Sequence, residues 1–127
     1  MSSYYLAQHE TESAEYAMLN LAPSVARSSC NTMLRASTHL GNDANQVKSI
    51  LSADYIAPYN ALISSLTTAG NDCLEAISYG DTRPSTAGSP GWNAYYAFAE
   101  AKDWFAKLDP AVEESTSTTS PVATAQG

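Results

Sequence analysis

Apolar residues recur along this chain at intervals of three and four, the spacing that lines one face of an α-helix. In ETESAEYAMLNLA that face carries Ala14, Met18 and Leu21, after a short aromatic lead of Tyr4, Tyr5 and Leu6. The lead is too short to assign as a strand. Glu10, Glu12 and Glu15 are expected in the first turns, where the helix dipole favours negative charge. Pro23 either breaks this helix or opens the next one, since a first-turn residue needs no N–H. From Pro23 onward, Ala26, Cys30, Met33, Leu34 and Ser37 form a second stripe, ended by Gly41, with Asn42 and Asp43 suited to cap the next helix. Ser28, Ser29, Thr32, Ser37 and Thr38 give the second helix weak intrinsic propensity, so packing must hold it.

The third stripe is the longest. It runs through Val47, Ile50, Leu51, Tyr55, Leu62, Ile63, Leu66, Ala69, Cys73, Leu74 and Ile77. Pro58 lies inside it, predicting a kink or break near Ala57, and Gly70 with Asn71 and Asp72 marks a second possible interruption. Two or three collinear pieces are expected. YGDTRPSTAGSPG, residues 79–91, then reads as a long loop. It leads into WNAYYAFAEAKDWFAKL, a final helix predicted to stop at Asp109-Pro110. On this helix Tyr95, Phe98, Phe105 and Leu108 share a face, while Trp92, Tyr96 and Trp104 fall elsewhere on the circumference. Either the helix is central to the bundle or its rings also meet a partner. No segment alternates with period two, so the fold class is all-α, a bundle of about four helices.

The composition adds a boundary. After residue 112, EESTSTTSPVATAQG holds one Val, no aromatic and no Leu or Ile, too little apolar surface to offset ordering entropy. One helical domain over 1–112 and an extended Ser/Thr-rich tail over 113–127 are expected. The chain's 127 residues suit one domain.

Charge then removes two partner classes. Six Lys and Arg stand against 13 Asp and Glu, a net charge of −7. Arg27, Arg35, Lys48, Arg83, Lys102 and Lys107 are scattered, so neither direct nucleic-acid binding nor an anionic membrane surface is expected. No apolar run approaches the roughly 18 residues of a membrane span. MSSYYLAQHETE has neither a basic start nor a continuous apolar core, so no secretory signal is read there. Cys30 and Cys73 both fall on apolar helix faces; a disulfide between them is possible if those faces meet.

Candidate chemistry is sparse. Phosphate-loop and dinucleotide glycine patterns are missing, as is the nucleophile elbow of hydrolases. His9, Glu10 and Glu12 lie within helical reach of each other, but order and number do not fit a carboxylate–histidine metal bundle, and an acidic helix start is the simpler reading. Cys30 and His39 are nine residues apart on one helix, about 13 Å, beyond any proton transfer. Asp54 is the one carboxylate beside the main apolar stripe. No catalytic residue, metal site, cofactor or small-molecule substrate is assigned, and the chain is not expected to be an enzyme.

The pattern points instead to contacts between proteins. The expected function is a structural subunit of a multi-subunit assembly, most readily a virion protein such as a phage capsid, connector or tail accessory. A helical binding or regulatory module is the alternative, and a small helical enzyme or metal protein the second alternative. Met33, Leu34, Ile50, Leu51, Leu62, Leu66 and Leu74 would form the core. Trp92, Tyr96, Trp104, Arg83 and Val122 would meet other subunits, with the 79–91 loop and the tail. Ser3-Tyr4 and the STSTTSPVATAQG ending resemble features of helical-bundle coat proteins of rod-shaped plant viruses. Such coats face RNA with a basic stripe that this chain lacks, so no family is assigned.

Overall fold

A computed structural model describes residues 2–20 and 23–119. In order they form α1 (Ser2–Asn20), α2 (Pro23–Asn42), the short α3 (Ala44–Lys48), a 3₁₀ turn (Ala53–Tyr55), α4 (Ile56–Tyr79) and α5 (Pro90–Thr119). α1, α2, α4 and α5 make the bundle of four helices that the sequence periodicity predicts, with no strand among the described residues, and successive helices run antiparallel. Packing is closest for α1 with α2, α2 with α4 and α4 with α5, while α1 and α5 close the ring more lightly.

The core explains how closely these helices approach. α1 contributes Tyr4, Ala7, Thr11, Ala14 and Met18, and α5 contributes Ala94, Phe98, Ala101, Phe105, Leu108 and Val112. Both rows advance in steps of three and four, the seam of an antiparallel bundle. Ten of the 26 buried apolar residues in the described part are alanine, which brings backbones together and leaves Tyr4, Tyr59, Phe98 and Met33 to fill the volume. Gly70 goes further: a Cβ there would stand 2.5 Å from Leu34 Cδ2. Gly70 serves that close crossing of α2 and α4, and the second interruption that the sequence allowed there is not made.

Buried hydroxyls are matched. Thr11 donates to the Ala7 carbonyl at 2.7 Å, Tyr59 to the Leu40 carbonyl at 2.8 Å, and Ser37 shares a 2.8 Å hydrogen bond with Thr67. Cys30 and Cys73 do meet, joined by a disulfide across α2 and α4 with Cα atoms 6.2 Å apart.

Four further expectations are corrected by tertiary packing. α1 begins at Ser2, so the glutamates lie within it and not in its first turn; Tyr4 is drawn into helix and core by its hydroxyl, which bonds the Phe105 carbonyl and Asp109. The long stripe does divide near Ala57 as expected, into α3, the 3₁₀ turn and α4; α4 starts at Ile56, so Pro58 occupies its first turn, where no N–H partner is lost. Pro110 does not end α5, which continues to Thr119. Ala106 and Pro110 both face solvent, so water can reach the carbonyl the proline leaves unpaired, while Ala111 and Val112 are buried and hold the next turn. Residues 113–119, expected as extended tail, therefore continue the helix; residues 120–127 and Val122 lie outside the described part. Finally, Ile50 is 49% exposed in the link between α3 and the 3₁₀ turn, while Leu34 and Leu74 are only partly buried. Met33, Leu51, Leu62 and Leu66 are core as expected.

Candidate interaction surface

The surface around the start of α5 is built by a loop that folds back on the helix. Gly80 ends α4 with a left-handed φ of 69°, its N–H returning to the Ile77 carbonyl. Gly88 makes a second positive-φ turn, and Ser89 caps α5 by accepting from the Trp92 N–H at 3.3 Å. Gly91 is buried under the loop: a Cβ there would sit 2.7 Å from the Arg83 nitrogen and the Asp81 carbonyl, and would also strike the Arg83 carbonyl. The loop backbone thus lies directly on the first turn of α5. That is the physical reason a Gly/Pro-rich segment of this length keeps one path.

Packing this loop beside α5 places Arg83, exposed, at the end of the bundle that carries Trp92 and Tyr96. Those two rings are one helical turn apart, with centroids 4.6 Å apart, and Tyr95 meets Tyr96 edge to face at 5.3 Å. Trp92 and Tyr95 are half-buried supports; Tyr96 is 51% exposed and is the outward ring. Three of the predicted contact residues, Arg83, Trp92 and Tyr96, are therefore brought to one end.

Trp104 is not among them. It lies 12 residues further along α5, about 18 Å from Trp92, and packs partly buried against the core with Lys107 over its ring at 5.6 Å. Its indole N–H is buried with no hydrogen-bond acceptor among the described residues. Val122 is outside the described residues.

Two exposed rings and an exposed valine at this same end were not among the contact residues read from the sequence. Tyr79, the last residue of α4, is 71% exposed; Tyr16 near the end of α1 is 60% exposed; Val25 near the start of α2 is 46% exposed. Tyr16 and Val25 flank an open groove of about 350 Å³ between α1 and α2, lined also by His9, Glu12 and Ser29. Tyr16 was detectable, since two residues beyond Ala14 turns it about 200° off the apolar face. Tyr79 was not, because a helix-terminal position has no stripe to be compared with.

Two further clefts among the described residues offer polar walls without a converged reactive group. Between α4 and α5 a space of about 250 Å³ is lined by Ala61, Ser64, Ser65, Thr68, Ala97 and Glu100, with Ser65 donating to Glu100 at 3.0 Å. Between α1 and α5 a space of about 220 Å³ is edged by Gln8, Glu12, Lys102 and Asp109. There Asp109 accepts from Tyr4 and Gln8, and Lys102 pairs with Glu15 at 2.6 Å. Burial, and then the hydrogen bond to Asp109, hold the Tyr4 phenol far above its ordinary pKa; it acts as a fixed neutral donor.

The residues with candidate chemistry stay apart. His9 is 72% exposed and 3.9 Å from Glu10; His39 is exposed in the last turn of α2; Asp54 is exposed in the 3₁₀ turn. Cys30 and Cys73 are bonded to each other. Among the described residues no group of three or more His, Cys, Asp or Glu is placed to hold a metal ion. No described helix is long and apolar enough to cross a membrane. No protein-family model, curated protein or solved structure matches the chain.

Proposed function

We propose that the chain is a structural subunit that works through contacts with other protein subunits, a virion being the kind of assembly its sequence favours. The observation that carries this reading is the outward presentation of Tyr16, Tyr79 and Tyr96, each at least half exposed, at one end of the bundle. Tyrosine combines a large apolar face with a polar tip and few rotamers to freeze, which suits a surface wet when free and buried when paired. Trp92 and Tyr95 brace Tyr96 from beneath, so less freedom remains to be lost on docking.

Sedimentation velocity of the purified full chain over a wide concentration range tests the proposal. The expected result is a weight-average size that rises with concentration, and less so for Tyr79→Ser/Tyr96→Ser. A monomer throughout, unchanged by that double substitution, would count against self-assembly as its role.

A further inference from the structure

The outer seam between α4 and α5 carries negative charge that the chain itself does not answer. Onward from Ser65, Thr68, Asp72, Glu75 and Tyr79 advance along α4 in steps of three and four and so share one face. The hydrogen bond from Ser65 to Glu100 sets that face against α5, beside the open cleft of about 250 Å³. Tyr96 stands one turn before Glu100 on α5. Asp72, Glu75 and Glu100 therefore follow one seam, with the exposed rings of Tyr79 and Tyr96 at the end where α4 stops.

The neighbouring basic residues bound this seam without filling it. α4 contains neither Lys nor Arg. On α5, Lys102 turns toward α1 and pairs with Glu15, while Lys107 lies over Trp104, one turn from Asp103, which offsets its charge. Arg83 has Asp81 two residues away in the loop. Among the described residues none of the three seam carboxylates joins an ion pair, and Asp72 accepts no hydrogen bond. Burial, and then Glu75, hold the partly buried Asp72 carboxyl above its ordinary pKa. Glu75 also lies near the C-terminal end of α4, where the helix dipole disfavours an anion. The fold thus brings three carboxylates to one seam and supplies no charge to relieve them.

We infer that the α4–α5 seam docks an arginine-bearing segment of a different protein, its guanidinium groups pairing with Asp72, Glu75 and Glu100 and lying on the rings of Tyr79 and Tyr96. Guanidinium suits both halves of the surface, since it forks onto carboxylates and stacks on aromatic faces. A second copy does not supply such a segment: each carries a net charge of −7, with its six basic residues scattered. Among the described residues no three acidic groups converge on a single metal ion, so the charge matches cationic side chains spread along a segment. This rests on the reading of the chain as a subunit working through protein contacts and gives the chemistry of one partner.

The test uses the full chain and a dye-labelled eight-residue peptide alternating Arg and Ala, followed by fluorescence anisotropy at about 0.1 M salt, where charges more than about 10 Å apart are largely screened. Asp72→Asn/Glu75→Gln is compared with Asp54→Asn/Glu113→Gln, which removes the same two charges at the opposite end of the bundle, about 30 Å away along α4. The seam variant should weaken binding at least about 5-fold, Tyr96→Ser about 3-fold and the distant variant less than about 2-fold. Asp72→Asn should melt no lower than the wild type, since the carboxylate has no partner to lose; a clear fall would show an internal partner and sink the inference. Equal weakening by both charge variants would reduce the effect to net charge, and the inference would be wrong. It would also be wrong if 1 mM calcium displaced the peptide and raised the melting temperature as far, or if the seam variant self-associated more than the wild type in sedimentation velocity, which would make a second copy the occupant. A wild-type chain that self-associates but ignores the peptide loses this inference and keeps the subunit reading. One that binds the peptide at the seam yet stays monomeric keeps the inference and loses self-assembly.

Discussion

Replacing both cysteines, Cys30→Ala with Cys73→Ala, removes the covalent tie between α2 and α4, and the size of the effect can be worked from chain entropy. The bond closes a loop with a sequence separation of 43 residues. Loop-closure arithmetic assigns such a link about 4 kcal/mol of stability at 25 °C, by restricting the unfolded chain. Both side chains are fully buried, so the substitutions also lose two packed sulfur atoms and act in the same direction. Set against a typical stability of about 5–15 kcal/mol, the loss is large. For a chain of this length it corresponds to a fall in melting temperature of about 15 °C.

The assay is thermal unfolding of the oxidised wild type, the reduced wild type and the double variant, with thiol titration confirming the redox state of each. Reduced wild type should melt well below the oxidised protein, and the double variant lower still, because it also lacks the two packed sulfur atoms. A single variant, Cys30→Ala, should melt alike with and without reductant, because no bond remains to break. The reasoning would be refuted if oxidised and reduced wild type, with thiols titrated as zero and two, melted within about 2 °C of each other. Because such bonds persist in oxidising surroundings, a chain recovered under reducing conditions should behave as the less stable form.

Two further predictions rest on single contacts. Gly91→Ala gains helix propensity but forces a Cβ into the backbone of Arg83 and Asp81, which cannot yield as a side-chain tip could. We expect a net loss of about 1–3 kcal/mol in urea unfolding, together with protease cleavage within residues 80–89 that the wild type resists; unchanged stability and resistance would show that the loop does not rest on α5. Tyr59 has its phenol pushed up to about 12 by burial and then by the nearby Asp43 charge, against 10.0 for a free tyrosine. The buried phenol stays neutral while the unfolded chain ionises, so its contribution is whole below pH 10 and is lost as pH rises toward 12, on the order of 2–3 kcal/mol in all. Tyr59→Phe should therefore cost about 1 kcal/mol at neutral pH, through the lost bond to the Leu40 carbonyl, yet decline less steeply in alkaline urea titrations. An alkaline slope equal to the wild type's would contradict this.

How much of the candidate surface could be read in advance differs residue by residue. Trp92 and Tyr96 were legible, because one turn of helical arithmetic puts them together and off the face of Phe98 and Phe105. Arg83 was legible only as a loop residue; its place beside them depends on the loop backbone lying over Gly91. Trp104 stands apart from that group, and the sequence could not show its partial burial, since angle around a helix does not say whether a neighbouring helix covers that sector. Tyr79 and Val25 were missed because they sit at helix ends, and only the up-down path of the chain brings those ends together.

The same division runs through the fold. By itself the sequence determined the all-helical class, the four long amphipathic segments, the place of Pro23 at a helix boundary and the loop before Pro90. These come from side-chain spacing and local backbone limits, which act within a few residues. Tertiary structure decided the rest. Tyr4 extends α1 to Ser2 by bonding into α5, and the buried Ala111 and Val112 carry α5 past Pro110. Leu34 lies where a side chain at Gly70 would point, so Gly70 serves the crossing of α2 with α4, and Cys30 finds Cys73. In each case a contact between residues far apart in sequence outweighs a local preference of about 1–3 kcal/mol, a quantity no short window of sequence contains.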